Sequence, residues 1–424
     1  MGLTTATALA DFGHEVQCVD IDQSKIECLT QGKLPIYEPG LKELIDKNIK
    51  QDRLHFSSRV EESIKNYPII MIAVGTPAQE DGSSNLSFIR QVVEIIAATI
   101  TDYKIIITKS TVPPGTNEWI YQTLVEMGIN DDKFDIVSNP EFLREGTALW
   151  DIYHPNKLVF GTKTTRPINV LKQLYERGRA PFIFTSLTGA ELIKYASNAF
   201  LATKISFSNE MARICDVYGV NYADIAKGLA TDPRIGKHFL NAGLGYGGSC
   251  LPKDLSSLKH SALRQKVETK LLDAVMGIND TQIELYLNKL RTLLPDLADK
   301  QITVWGATFK PGTDDLRSSQ AIALIKQLVQ KNCRVHTYDP MVQLELANVT
   351  SHVNQYESVS NSDALIIATE WEQFQKCNWS EVKSRMKGAI ILDTRNCINV
   401  KSVTKQGFVY LGVGRYSSDS NPVH

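Results

Sequence analysis

The residues best suited to chemistry stand together in Gly245-Tyr246-Gly247-Gly248-Ser249-Cys250-Leu251-Pro252-Lys253-Asp254. Glycines at 245, 247 and 248 let the backbone turn freely and approach a ligand closely. Proline is favoured in the first turn of a helix, so Cys250 is expected at or just before a helix N-terminus. The positive end of the helix dipole favours a thiolate there. Asp254 follows one turn later, within reach of the same space. Glycine loop, activated thiol and nearby carboxylate suggest a covalent catalyst. The competing reading is a glycine-rich turn around a buried, inert cysteine.

A second pair precedes this loop. From Thr188 to about Val217 the spacing is helical with few breakers, a stretch of roughly 30 residues or about 45 Å. Lys194 and Asn198 are four apart and share one face. Aimed together they would stabilise an oxyanion or orient a water. A solvated lysine beside an ordinary helical asparagine is the alternative. A helix this long would join two domains or form a dimer interface.

The elements that must position these groups read as an α/β chain. Met1 to Phe12 reads as a helix ended by Gly13, and Glu15 to Val19 as a strand followed by Asp20. A strand ending in Asp about 20 residues after a glycine turn is the ribose-binding half of a dinucleotide fold. Such a carboxylate holds ribose hydroxyls and repels the extra phosphate of NADP, so NAD is favoured. Gly2 would be the last glycine of that turn. Pro68 to Val74, Lys104 to Thr108 and Phe134 to Val137 are buried-type strands, each followed by a polar loop: Gly75-Thr76-Pro77, Lys109 to Gly115, and Ser138 to Gly146. Strands alternating with helices mean a parallel sheet with crossovers, which binds ligands at the carboxyl ends of its strands. A second series follows at Gln301 to Gly306, Arg334 to Tyr338, Asp363 to Thr369 and Ala389 to Asp393. It lacks GxGxxG, so a second dinucleotide is not expected. Lys310, Arg317 and Arg395 fall at its strand ends, where cations meet phosphates. The expected architecture is two Rossmann-like, doubly wound, parallel-sheet domains, at 1–187 and 291–424. A long central helix and a small helical domain, 188–290, join them.

Composition narrows the function classes. The chain has 424 residues, 43% apolar and 22% charged, with a net charge of -1. No global basic field argues for nucleic acid or an anionic membrane. The cysteines, 7 in number, form neither CxxC nor a Cys/His cluster, so no metal site or disulfide framework is indicated, and an odd count fits a reducing cytoplasm. No apolar run approaches about 18 residues, and the N-terminus does not read as a signal peptide.

Together these pieces resemble the UDP-glucose dehydrogenase family of nucleotide-sugar 6-dehydrogenases, over nearly the whole chain. The resemblance rests on Tyr37-Glu38-Pro39-Gly40-Leu41, Gly75-Thr76-Pro77, Lys109-Ser110-Thr111-Val112-Pro113, the run Asn139 to Gly146, Glu191 to Asn198, Asp232 to Gly236, Gly245 to Asp254, Phe309-Lys310 and Arg317. It implies an NAD-dependent, two-step oxidation of a primary alcohol to a carboxylate at C6 of the sugar. Cys250 would trap the aldehyde as a thiohemiacetal and carry the thioester that water hydrolyses. By the same resemblance Lys194 stabilises the oxyanions. Asn198, Asp254 and Thr111 place a water or take protons, and Glu141 assists hydrolysis. Asp20, Lys25, Thr76, Thr111, Glu145 and Arg317 match the cofactor side, with Gly2. The substrate side takes in Glu141, Phe142, Leu143, Arg144, Glu145, Lys194 and Asn198. It also takes in the loop with Asn241, Gly245, Tyr246 and Gly247, and Phe309, Lys310 and Arg395. Arg234 would reach across a homodimer to the partner's sugar. UDP-glucose is the expected substrate, with GDP-mannose, a UDP-N-acetylhexosamine or a catalytically inactive sugar-binding protein as alternatives. The family begins with a strand and a full glycine loop ahead of the position of Gly2. Without them a core strand and the amides that cradle the pyrophosphate are missing, and NAD affinity is expected to fall.

Overall fold

A computed structural model describes residues 1–415. The chain divides into two compact units, residues 1–197 with 256–267, and residues 198–255 with 268–424.

The first unit holds seven strands: β1 (Val16–Val19), β2 (Leu54–Ser57), β3 (Ile69–Ile72), β4 (Lys104–Thr108), β5 (Phe134–Ser138), β6 (Leu158–Thr162) and β7 (Phe182–Thr185). They form a β1–β2 pair and a five-stranded sheet in the order β3-β4-β5-β6-β7. Every residue of β4 and β5 is buried, as expected of central strands covered on both faces. Their Ile- and Val-rich segments were legible as strands for that reason. β3, β4 and β5 run parallel in register, Ile72 beside Thr108 and Thr108 beside Ser138. Their carboxyl ends therefore open on one edge, and the three polar loops start there.

One pairing departs from the expected all-parallel sheet, because β6 runs antiparallel to β5. The helix between them, Ala148–Tyr153, has 6 residues and spans about 9 Å. β1 pairs with β2 alone and β3 with β4 alone among the described residues. A cavity of about 410 Å³ is lined by Glu15 and Gln17 of the β1 segment and by Asn66, Tyr67 and Pro68 ahead of β3.

The second unit is built on β8 (Gln301–Trp305), β9 (Arg334–Tyr338), β10 (Val349–Ser351), β11 (Ala364–Ile367), β12 (Ile390–Asp393) and β13 (Val409–Leu411). All pair in parallel in the order β10-β9-β8-β11-β12-β13. This is the doubly wound order 3-2-1-4-5-6, whose switch point lies between its first and fourth strands, here β8 and β11. Gly306, next after β8, has φ +95, and a Cβ there would collide with Thr369 beyond β11. The helix Leu187–Tyr218 runs for 32 residues, within one residue of the expected span at its start and end.

Gly306→Ala is expected to destabilise the protein by about 2–4 kcal/mol, from the disfavoured φ and the overpacking together. Chemical denaturation of the variant against the wild type measures it.

Candidate active site

Parallel register brings the first unit's polar loops together. Thr76 Oγ1 donates to the Thr111 carbonyl at 2.7 Å, and Ser110 Oγ to that of Val74 at 2.7 Å. Beside them Lys194 Nζ pairs with Glu141 Oε1 at 3.2 Å, both side chains buried. Glu141 Oε2 accepts the Leu143 N–H at 2.5 Å. Two ammonium groups approach the Phe142 ring, Lys157 Nζ 4.4 Å and Lys194 Nζ 5.5 Å from its centroid. Burial, then the charge of Lys194, holds the Lys157 ammonium below its ordinary pKa.

The loop carrying Glu141 is held from the other side. Arg144 forks onto Asp151, Nη2 to Oδ1 at 2.6 Å and Nε to Oδ2 at 3.1 Å. Glu38 accepts the N–H groups of Gly146 at 2.9 Å and Ala148 at 2.6 Å, so it caps the helix Ala148–Tyr153. This gives the Tyr37–Leu41 motif a physical task that its residue types alone did not disclose. Glu191 caps a second helix, Thr116–Glu126. Its carboxylate accepts the N–H of Gly115 at 2.6 Å, the N–H of Asn117 at 2.8 Å and the Asn117 side-chain amide at 2.7 Å. Burial pushes the Glu191 carboxyl up to about 7 against those donors.

Of the residues expected on the cofactor side, Asp20 and Lys25 stand together at the end of β1. Asp20 follows β1, accepts the Asp22 N–H at 2.9 Å and lies 3.5 Å from Lys25 Nζ. Its side chain is 39% exposed, which leaves carboxylate surface for ribose hydroxyls. The helix Gly2–Asp11 has no side-chain cap, and Thr5 Oγ1 in its first turn is buried without a partner.

In the second unit Cys250 immediately precedes the helix Leu251–Arg264, and its carbonyl accepts the Asp254 N–H at 2.9 Å. The thiol therefore sits at the helix N-terminus, as its sequence context predicts. Asn198 Nδ2 donates to Asp254 Oδ2 at 2.6 Å, and Lys253 Nζ to Oδ1 at 2.7 Å. The carboxylate is buried and held between an amide and an ammonium.

The glycine loop is clamped by amide side chains that sequence reasoning missed. Asn279 takes the Tyr246 N–H on its Oδ1 at 2.8 Å and donates to the Tyr246 carbonyl at 3.2 Å. Asn209 accepts the Gly243 N–H at 2.7 Å, and Gln282 donates to the Gly243 carbonyl at 2.6 Å. Asn279 and Gln282 stand three apart on the helix Lys270–Arg291. Two amides at that spacing in an otherwise apolar stripe were the available signal. A Cβ on Gly248 would press on the Phe309 ring at 2.7 Å. Arg395 donates to the carbonyls of Ala368 at 2.8 Å, Phe309 at 3.3 Å and Gly245 at 3.4 Å. The switch point thus gathers Phe309, Arg395, Gly245 and Tyr246. Lys310 lies 5.6 Å from the Phe309 ring centroid. Asn241, Arg234 and Arg317 are at the surface, with Arg234 forked onto Asp232 and Arg317 onto Asp315.

Three family models match in order: the UDP-glucose/GDP-mannose dehydrogenase NAD binding domain over residues 1–178, the central domain over 188–281 and the UDP binding domain over 303–400. The chain belongs to this family. The Bacillus subtilis (strain 168) protein YtcA is 47% identical, over 98% of this chain and 97% of its own. The UDP-glucose 6-dehydrogenase TuaD of the same organism is 38% identical, over 98% and 91%. The solved UDP-glucose dehydrogenase of Pyrobaculum islandicum superposes with a TM-score of 0.91 at 33% identity, over 98% and 95%. The chain is an NAD-dependent nucleotide-sugar dehydrogenase.

Glu191 supplies a pH test of this geometry. Its folded pKa of about 7 stands above its ordinary 4.5, so the folded chain binds its proton more tightly between those values. Its contribution is full below about pH 4.5 and lost as pH rises through 7, roughly 3 kcal/mol in all. Denaturation midpoints compared from pH 4.5 to 7.5 should show this loss in the wild type and not in Glu191→Gln.

Proposed function

We propose that this chain oxidises C6 of UDP-glucose to the carboxylate, giving UDP-glucuronate through a covalent intermediate on Cys250. The observation that carries this reading is the thiol at the head of the helix Leu251–Arg264, with Asn198 and Asp254 hydrogen-bonded beside it. NAD, when bound, accepts a hydride in each half of the reaction. In the first half the C6 alcohol loses a proton and a hydride and becomes an aldehyde. The Cys250 sulfur adds to the aldehyde carbon, giving a thiohemiacetal. Loss of a second hydride and the hydroxyl proton leaves a thioester. One water then breaks the C–S bond, supplies the second carboxylate oxygen and returns the thiol.

The side chains divide this work by charge. Asp254, held by Asn198 and Lys253, takes protons or orients water with Asn198, and Thr111 is assigned the same task from its own loop. Lys194 is the cation for the oxyanions, and Glu141 assists hydrolysis. Asp20, Lys25, Thr76, Thr111, Glu145 and Arg317, with Gly2, serve the cofactor. The Gly245–Gly247 loop, Phe309, Lys310 and Arg395 hold the nucleotide sugar, and the match to a UDP binding domain supports that assignment.

A homodimer belongs to this reading. Phe200, Phe207 and Ile214 are exposed at seven-residue intervals along the helix Leu187–Tyr218, an apolar stripe suited to a second copy. Arg234 is proposed to reach the partner's sugar. Among the described residues no helix is long and apolar enough to cross a membrane. UDP-N-acetylmannosamine is the competing substrate, because the solved UDP-D-ManNAc dehydrogenase of Pyrococcus horikoshii superposes with a TM-score of 0.88 at 29% identity.

NADH formation from UDP-glucose, GDP-mannose and UDP-N-acetylmannosamine decides the substrate. UDP-glucose should give two NADH per sugar; turnover of one of the others alone would replace it. Cys250→Ser should bind UDP-glucose by calorimetry and lose glucuronate release by roughly a thousandfold or more. Normal release from that variant would end the covalent mechanism.

A further inference from the structure

A buried cation within the electrostatic reach of the Glu141–Lys194 pair has no task in the reaction described above. Lys109 is the first residue after β4, and its side chain is buried. Its Nζ donates to Asn139 Oδ1 at 3.1 Å and lies 5.6 Å from the centroid of the Tyr175 ring. The Tyr175 hydroxyl donates to the same Asn139 oxygen at 2.8 Å. Asn139 Nδ2 donates to the Val159 carbonyl at 2.9 Å. The amide is thus fixed at both ends, between β4, β6 and the segment that follows the helix Ile168–Leu174.

Asn139 is two residues ahead of Glu141. A buried ammonium is costly unless it is hydrogen-bonded and faces compensating charge. The charged groups acting on Lys109 are Glu141, from the loop after β5, and Lys194, from the long helix. Tyr175 faces it as a titratable phenol, kept neutral by burial that drives its pKa far up. The arrangement places two lysines around one buried carboxylate.

We propose that Lys109 is a positioning residue of the dehydrogenase: its ammonium, seated on Asn139, holds the strand end that presents Glu141 and supplies a second positive charge to the Glu141–Lys194 pair. This rests on the reading that Glu141 and Lys194 serve the oxidation. Burial draws the Lys109 pKa down to about 8, with Glu141 raising it and Lys194 lowering it further. Above that pH the amine is neutral. A neutral donor holds Asn139 about half as strongly as a charged one, and the negative charge that develops during turnover loses a nearby cation. The rate should therefore fall on an alkaline limb that belongs to Lys109.

The test is the pH profile of kcat for NADH formation, run on the intact protein as wild type, Lys109→Met and Lys109→Arg. The wild type should lose rate with a midpoint near pH 8. Lys109→Met should lower kcat about tenfold or more at pH 7 with little change in KM, and should lack that limb. Lys109→Arg stays charged at these pH values and should recover part of kcat with the limb displaced upward. Stability gives a readout apart from turnover. Between about 8 and 10.5 the unfolded chain binds the Lys109 proton more tightly than the folded one. The wild type should then gain stability as pH rises through that window, and Lys109→Met should lack this gain.

If Lys109→Met keeps the wild-type kcat and the limb, Lys109 does not position the site. If that variant fails to fold, the wild type alone decides, and a flat kcat from pH 7 to 9 overturns the proposal. A wild type that turns over no nucleotide sugar ends the underlying reading, and the positioning role falls with it. These outcomes are distinct.

Discussion

Much of the first unit is arranged to keep one carboxylate, Glu141, buried and oriented. An unpaired buried charge costs several kcal/mol, and Glu141 meets that cost with Lys194 at 3.2 Å and the Leu143 N–H. Neither partner would be in place without other constraints. Lys194 depends on the register of the helix Leu187–Tyr218. The Leu143 N–H depends on a loop tied down by Arg144 on Asp151 and by Glu38 on Gly146 and Ala148. The parallel alignment of β4 and β5 puts Lys109 and Asn139 side by side. Sheet register, a helix cap and two ion pairs therefore converge on a single group.

The second unit solves a different problem. Its glycine loop has little side-chain mass of its own, so the structure around it must supply rigidity. Asn209, Asn279 and Gln282 do so by hydrogen-bonding the backbone of Gly243 and Tyr246, and Arg395 takes the Gly245 carbonyl. Buried amides suit this task because each offers a donor and an acceptor and carries no charge to desolvate. The carboxylate of Asp254 is satisfied in the same way, by an amide on one oxygen and an ammonium on the other.

How much of this was legible beforehand depended on whether the signal was local. The segment Ile105–Thr108 is a run of β-branched residues, and it lies in the strand Lys104–Thr108. The long helix could be bounded from its spacing, and the cysteine could be placed at a helix start from Pro252. Each is a local property of a few residues. The antiparallel β6 was not legible, because strand direction is set by pairing with strands distant in sequence, here β5 and β7. The clamps at Asn279 and Gln282 were hidden for the same reason. Their spacing marks a polar spot on an apolar helix face, but it does not say that the spot will meet a loop more than 30 positions earlier.

Lys109 shows the same limit within a recognised motif. It stands beside the loop hydroxyls Ser110 and Thr111 at a strand end, and nothing in those neighbours says that its side chain is buried. The buried side chain donates to the Asn139 amide oxygen, and the charges acting on it are those of Glu141 and Lys194. A lysine at a ligand-facing edge would draw its counter-charge from the ligand. A buried one must draw it from the protein, and Glu141 is the carboxylate acting on it there. The chemistry of Glu141 and the burial of Lys109 are consequences of one electrostatic balance.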